Sequence, residues 1–235
     1  MGFFKSKANK RPRVAAIIAA AGMSSRMGGT DKLFAPLFGV PILAHTFLAF
    51  EHCDYIDEII VAAASESIVP IGDLCKGYGI TKATQILRGG ESRTESVYAA
   101  LMSAPPETEY AAIHDGARPL VKPALIAEVV ECAFKYGAAV PATPLTDTVK
   151  STDGGNIIKT VDRNALRAVQ TPQVFQIGLI KGALTKAIRE SAALTDDCAA
   201  VERIGMKVKI VAGSPGNIKI TAPADLAIAE ALMGY

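Results

Sequence analysis

The stretch Val14-Ala-Ala-Ile-Ile-Ala-Ala20-Ala21-Gly22-Met-Ser-Ser-Arg26-Met-Gly-Gly-Thr-Asp-Lys32 decides how the rest of the chain is read. An unbroken apolar run of this length is what a strand buried on both faces of a parallel sheet requires. It leads directly into a loop of glycines and serines that carries Arg26 and ends on Lys32. Ligands of open parallel sheets bind beyond the carboxyl ends of the strands. Glycines let backbone N–H groups approach phosphate oxygens, and Arg26 and Lys32 supply fixed positive charge, so the loop suits a triphosphate. The alternative is a solvent loop with incidental basic residues. Two familiar phosphate motifs are absent: there is no Gly-x-Gly-x-x-Gly and no Gly-x-x-x-x-Gly-Lys-Ser/Thr, which argues against a dehydrogenase and a kinase.

Outward from this stretch, short runs rich in Val, Ile and Ala alternate with amphipathic segments, the pattern of a mostly parallel, twisted sheet flanked by helices. The expectation is a Rossmann-like α/β fold, with strands at 14–20, 58–63, 84–87, 111–114, 138–142 and 207–211. Helices are expected at 42–50, 67–78, 93–102, 123–136, 177–190, 196–203 and 223–233. One segment breaks the alternation: 148–150 and 157–161 read as two strands around a Gly-rich turn, a hairpin arm within about 145–165. A lone two-stranded hairpin is marginal in water, so an arm bearing Val149, Ile157, Ile158 and Val161 is expected to pack on something outside its own sheet. A second subunit is the natural candidate, and an arm folded back on its own domain is the alternative.

Composition narrows the class. Half of the 235 residues are apolar, enough for one domain over 13–235 that buries roughly 70% of its unfolded surface; 25 Lys+Arg stand against 23 Asp+Glu. That balance points away from disorder, nucleic acid and a membrane surface. The run at 14–21 is far short of the roughly 20 residues of a membrane helix. Residues 1–12 are basic without the apolar stretch of a signal peptide and read as a solvated tail. Cys53, Cys75, Cys132 and Cys198 contain no close pair, so free thiols in a reducing cytoplasm are expected.

Further motifs gather at the same predicted rim. Gly89-Gly90-Glu91-Ser92-Arg93 follows one strand and precedes a helix containing Ser96; by itself it is also an ordinary tight connection. His114-Asp115-Gly116-Ala117-Arg118-Pro119 ends the next strand and places an acid and a base just past a buried run. Asp115 suits a Mg2+ ion or a hydroxyl, and Arg118 a phosphate, unless the two simply pair with each other. His114 is expected to pack beneath the loop. Later come Thr148, Arg163, Thr171, Thr195 and Lys219. In Asn217-Ile-Lys-Ile-Thr221 strand alternation would put Lys219 opposite Ile218 and Ile220, where an exposed edge lysine is the plain alternative.

Taken in order, the Ala-Ala-Gly…Arg-Met…Lys loop, the Gly-Gly turn, His-Asp-Gly-Ala-Arg-Pro, Asp147-Thr148, Val-Asp-Arg-Asn, Thr-Pro-Gln, Thr-Asp-Asp and Asn-Ile-Lys-Ile-Thr resemble the methylerythritol phosphate cytidylyltransferase family from about Arg13 onward. The resemblance implies a CTP site at Ala20, Ala21, Gly22, Arg26, Lys32, Gly89, Gly90, Ser96, Asp115, Gly116 and Lys219. It implies acceptor contacts at Asp115, Arg118, Thr148, Arg163, Thr171, Thr195 and Lys219, with Thr148 and Arg163 reaching the partner's site in a homodimer. Arg26, Lys32, Lys219 and Arg163 are the implied catalytic set, and Mg2+ is implied mainly on the CTP phosphates, with Asp115 as its candidate protein contact. Gly116 and Asp197 depart from the Ala and Glu common in relatives. The rival readings are a ribitol 5-phosphate cytidylyltransferase, a nucleotidyltransferase for a molybdenum cofactor or hexose phosphate, and a non-catalytic nucleotide-binding protein.

Overall fold

A computed structural model of the chain describes residues 11–22 and 32–234. In chain order its strands are β1 (Val14–Ala20), β2 (Pro36–Leu37), β3 (Val40–Pro41), β4 (Glu58–Ala63), β5 (Ala83–Arg88), β6 (Tyr110–Asp115), β7 (Ala138–Pro144), β8 (Val149–Asp153), β9 (Asn156–Val161), β10 (Arg167–Val169), β11 (Gln173–Gln176) and β12 (Lys209–Ala212). Its helices are α1 (Ile42–Glu51), α2 (Ile68–Gly77), α3 (Arg93–Ser103), α4 (Pro123–Tyr136), α5 (Ile177–Arg189), α6 (Asp197–Arg203) and α7 (Pro223–Met233). The main sheet runs β10-β7-β11-β6-β1-β4-β5, with β12 also paired to β7. β1 pairs in parallel with both β4 and β6, β4 with β5, and β7 with β12. β10 and β11 run antiparallel to their neighbours.

The central position of β1 follows from its composition. Every residue is buried except the half-buried Ala19, and side chains alternate between two faces. Val14, Ala16, Ile18 and Ala20 enter one core with Phe47 and Phe50 of α1, Ile71 of α2 and Val129 of α4. Ala15 and Ile17 enter the other, with Val97 and Leu101 of α3, Phe175 of β11, Ile180 of α5 and Val201 of α6. The sheet therefore has helices on both faces. Two helix ends carry local signals that agree with this packing: Pro123 opens α4, and Gly137 closes it in the left-handed region at φ 83°.

Most of the expected elements form within a residue or two of the bounds read from periodicity. Three do not. The segment 217–221 makes no strand and does not alternate: Asn217 and Ile220, three residues apart, are the buried pair, Ile218 and Lys219 are both half-buried, and its backbone bonds are isolated ones, Ile220 N–H to Ala117 O at 2.8 Å and Asn217 N–H to Ser214 O at 3.0 Å. β10 and β11 were not anticipated, because each has four or fewer residues, and β11 exists through its pairing with β6 and β7 rather than through its own pattern. The last sheet strand is Lys209–Ala212 rather than 207–211.

The hairpin forms a two-stranded sheet of its own from β8 and β9. Gly154 and Gly155 at its tip have φ of 52° and 84°, and a two-residue turn with both φ positive matches the twist of an antiparallel pair. Ile157 and Ile158 are 65% and 61% exposed. Among the described residues no helix is long and apolar enough to cross a membrane. Of the tail expected at 1–12, residues 1–10 lie outside the described residues, and Arg11 is not solvated freely but pairs with Asp57 at 2.7 Å.

Phe175 is fully buried between β6, β7 and α5. Phe175→Ala is expected to lower stability by about 3–5 kcal/mol, read as a shift of the urea midpoint; a loss below about 1 kcal/mol would mean that the unanticipated strand is not part of the core.

Candidate active site

Parallel register brings four strand ends to one rim. Ala19 of β1 lies beside Asp115 of β6, Ala20 beside Ala63 of β4, and Ala63 beside Arg88 of β5. Two backbone bonds extend the ladders into the loops: Gly116 N–H to Ala19 O at 3.0 Å and Gly89 N–H to Ala63 O at 2.8 Å. Over this rim opens a cleft of about 470 Å³ lined by Ala19, Ala20, Ala21, Gly22, Lys32, Leu33, Gly90, Glu91, Ser92, Arg93, Ser96, Asp115, Ala117 and Lys219.

The small residues are there for space. A Cβ on Gly89 would lie 2.5 Å from Ala21 Cβ and 2.6 Å from Ser96 Oγ, and one on Gly90 would lie 2.3 Å from Glu95 Cβ. The β5–α3 turn thus closes directly onto the end of β1 and onto its own helix. That helix begins with a capping box, in which Ser92 Oγ accepts from Glu95 N–H while Glu95 Oε2 accepts from Ser92 N–H. Gly90 N–H donates to Ser96 Oγ at 3.1 Å, so the turn's N–H groups are satisfied within the chain.

Asp115 is the centre of charge. Its Oδ1 is 3.1 Å from Arg93 Nε, and its Oδ2 is 2.9 Å from Lys219 Nζ and 3.5 Å from Arg118 Nε. Burial opposes ionisation of the Asp115 carboxyl, but the charges of Arg93 and Lys219 more than reverse it and hold its pKa far below the usual carboxylate range. Arg93 also reaches Asp197 Oδ2 at 2.8 Å. Burial pushes the Asp197 carboxyl up, with Arg93 opposing.

Each cation is placed by a different element. Arg93 is the first residue of α3. Arg118 sits in the β6–α4 loop and donates from Nη1 to Asn217 O at 2.7 Å. Lys219 rides on the segment before α7, whose shape comes from side chains: Asn217 Nδ2 donates to Thr171 O at 2.8 Å, and Asp225 Oδ2 accepts from Thr221 N–H, Thr221 Oγ1 and Ala222 N–H at 2.7, 2.8 and 2.9 Å.

Beneath Asp115 a polar relay fixes the strand end. His114 Nε2 faces Arg118 O at 3.2 Å, and a carbonyl only accepts, so Nε2 carries the proton. Nδ1 then accepts from the Thr171 hydroxyl at 2.9 Å, which leaves Thr171 Oγ1 to accept from Asp115 N–H at 3.3 Å. Burial pushes the His114 pKa down to about 3, against the pull of Asp115.

The residues expected to act together are distributed as follows. Ala20, Ala21, Gly22, Lys32, Gly90, Ser96, Asp115 and Lys219 line the cleft. Gly89 and Gly116 pack just behind its wall. Arg118 and Thr171 lie behind Asp115, the latter buried. Thr148 and Arg163 stand exposed at the base of the hairpin, and Thr195 is exposed ahead of α6; none of the three lines the cleft. Arg26 lies outside the described residues. Sequence reasoning quoted Arg93 only as part of a glycine turn; its pairing with two carboxylates from other elements left no local signal.

Among the described residues no group of three or more His, Cys, Asp or Glu side chains converges as a protein-held cation needs. Of the two carboxylates on the cleft, Asp115 is already shared by three cations. This donor set does not fit an ion held by the protein alone. Mg2+ characteristically binds through substrate phosphates and few carboxylates.

The His114 relay makes stability pH-dependent. Below about 6.5 the unfolded chain takes up a proton on His114 that the folded chain refuses until about 3, so stability is complete above that window and falls as pH drops through it. The slope from this residue is at most about 1.4 kcal/mol per pH unit. Urea midpoints measured from about pH 7 to about pH 4.5 are expected to fall less steeply for His114→Gln than for the parent chain; parallel slopes would remove His114 from the relay.

Comparison with known proteins agrees with this geometry. The sequence model of the 2-C-methyl-D-erythritol 4-phosphate cytidylyltransferase family matches residues 14–235. The cytidylyltransferase of that name from Bacillus mycoides is 43% identical over 218 residues, 92% of this chain and 96% of its own length. The one from Dehalococcoides mccartyi is 44% identical over 222 residues, 94% of this chain and 96% of its own. Among solved structures, the 4-diphosphocytidyl-2C-methyl-D-erythritol synthase of Anaerococcus prevotii superposes with a TM-score of 0.86 at 29% identity, covering 95% of this chain and 96% of the other. The Thermus thermophilus cytidylyltransferase superposes with a TM-score of 0.79 at 35% identity, covering 94% and 98%. Parallel rim, small-residue cleft and matched sequence lead to one assignment: the chain belongs to the 2-C-methyl-D-erythritol 4-phosphate cytidylyltransferase family.

Proposed function

We propose that this chain transfers the cytidylyl group of CTP to 2-C-methyl-D-erythritol 4-phosphate, releasing pyrophosphate and forming 4-diphosphocytidyl-2-C-methyl-D-erythritol. The observation that carries this reading is the convergence of Lys32, Arg93 and Lys219 on one cleft at the strand ends in a chain of that family. A phosphate oxygen of the acceptor attacks the α-phosphorus in line, the bond to the bridging oxygen breaks, and pyrophosphate carries the electron pair away. The attacking phosphate has a second pKa of about 6 and is ionised at neutral pH, so no general base is required.

The barrier lies in bringing two anions together and in the charge that then builds on the α-phosphate. Fixed cations and alignment lower it. In this reading Lys32 and Arg26 hold the triphosphate, and Lys219, held beside Asp115, faces the reacting phosphates. The carboxylate of Asp115 accepts from hydroxyl groups, and Arg163 clamps the attacking phosphate. Mg2+ would enter as an ion carried by the phosphates of CTP, where it would neutralise triphosphate charge. CTP is a cytoplasmic substrate, and the four free cysteines suit a reducing compartment.

The working unit in this proposal is a homodimer joined through the arm. The exposed Ile157 and Ile158 are a liability unless covered, and Thr148 and Arg163 at the arm's base do not line their own cleft. A partner that buries the isoleucines would receive those two residues.

Pyrophosphate release from CTP with Mg2+ is expected with methylerythritol phosphate as acceptor and not with ribitol 5-phosphate; the reverse preference would move the chain to another acceptor. Lys32→Ala and Lys219→Ala are each expected to lower turnover by at least about 100-fold, and near-parental turnover in either would end its proposed role. Replacing Ile157 and Ile158 together by Asp is expected to give a monomer in sedimentation and to lower turnover with it. A parent chain that sediments as a monomer would refute the dimer.

A further inference from the structure

Arg93 joins two carboxylates that belong to different parts of the site. Its Nε faces Asp115 Oδ1 at 3.1 Å, on the floor of the cleft. Its Nη2 faces Asp197 Oδ2 at 2.8 Å, and Asp197 is only 1% exposed and outside the cleft lining. Asp197 begins α6, directly after Thr195 and Asp196. That turn is fastened from one other side, by Gln173 of β11: Gln173 Oε1 accepts from Asp197 N–H and Cys198 N–H at 3.0 Å each, and Gln173 Nε2 donates to Asp196 Oδ2 at 2.8 Å.

The two oxygens of Asp115 are thereby divided. Oδ1 is committed to Arg93, so Oδ2 alone is shared by Lys219 and Arg118. A carboxylate held at Oδ1 by a charged donor is restrained from turning about its Cβ–Cγ bond. The ammonium of Lys219 therefore meets an acceptor in one fixed direction, and the Thr195 turn is held at a fixed distance from the floor. The guanidinium suits this task because its spread nitrogens reach two carboxylates at once, by a hydrogen bond from Nε to Asp115 and an ion pair from Nη2 to Asp197, whereas an ammonium is a point charge.

We propose that Arg93 is a positioning residue: by bridging Asp115 and Asp197 it sets the orientation of the Asp115 carboxylate and holds the α6 turn in register with the cleft, and so aligns the acceptor relative to CTP. The proposal rests on the cytidylyl transfer reading for its kinetic part only. The bridge acts through other residues, so its loss moves the alignment of the acceptor and leaves CTP binding largely intact. Misplacement by about 1 Å is enough to cost up to about 100-fold in rate.

The test uses Arg93→Lys, which keeps one charge but cannot span both partners, and Asp197→Asn, which alters no cleft atom. Both are expected to raise the KM for the acceptor and lower kcat by about tenfold or more together, while the Kd for CTP, measured by calorimetry, changes by less than about threefold. The double variant is expected to be no worse than the worse single one, as two ends of one bridge should be. Variants with lowered melting temperature but parental kinetic constants would reduce the bridge to a structural pair and overturn the proposal. Hydrogen exchange gives an arm that needs no substrate: Asp197→Asn is expected to speed exchange at the Asp115 amide as well as at 197–199. Change confined to 197–199 would refute the bridge. Silence of the parent chain with every acceptor would refute the reaction instead, and leave the exchange result standing.

Discussion

The carboxylate of Asp115 is the interaction on which the site depends. It sits at the carboxyl end of β6, largely removed from water, with Arg93, Arg118 and Lys219 at 2.9 to 3.5 Å. None of these cations would be stable so close to the others without it. A buried charge survives only when paired and hydrogen-bonded, and here the pairing draws α3, the β6–α4 loop and the segment before α7 to one point. The arrangement has a functional corollary: cations gathered around a protein carboxylate are already assembled when an anionic ligand arrives, so little of the binding energy is used in collecting them.

Small side chains make that gathering possible. Gly89 lies against Ala21 and Ser96, and Gly116 fits beneath Leu43 and against Ala19 O. The glycines of this rim are therefore steric in origin, allowing three chain segments to meet where a side chain would hold them apart. With the N–H groups of the β5–α3 turn used inside the capping box and by Ser96, that turn contributes shape more than hydrogen-bond donors. In the proposed reading, positive charge for a triphosphate comes from Lys32 and Lys219, whereas the guanidinium of Arg93 is spent on Asp115 and Asp197.

The hairpin stands in contrast to this tightly satisfied centre. Its strands pair only with each other, and a two-stranded ribbon is marginal by itself. Its Ile157 and Ile158 face outward, which inverts the logic of the main sheet, where every alternate residue of β1 finds a core on one side or the other. The fold thus separates a densely paired rim at the strand ends from a hairpin that pairs only with itself.

Much of this was legible in the linear sequence, because the signals concerned are local. β1, β4 and α4 fall on the bounds expected from apolar runs and helical periodicity, since burial pattern acts within a few residues. The glycine pair of the hairpin tip likewise announces its own turn. What the sequence left undecided were relations between distant residues. β11 is a strand because β6 and β7 offer it partners; 217–221 is not one because no ladder receives it, and Asn217 and Asp225 shape it instead. Lys219 and Arg93 carried no local mark distinguishing them from solvated surface charges. The parallel register of β1, β4, β5 and β6 brought Arg93 to Asp115, and the Asn217 and Asp225 contacts brought Lys219 there, because electrostatic pairing depends on separation in space and not along the chain.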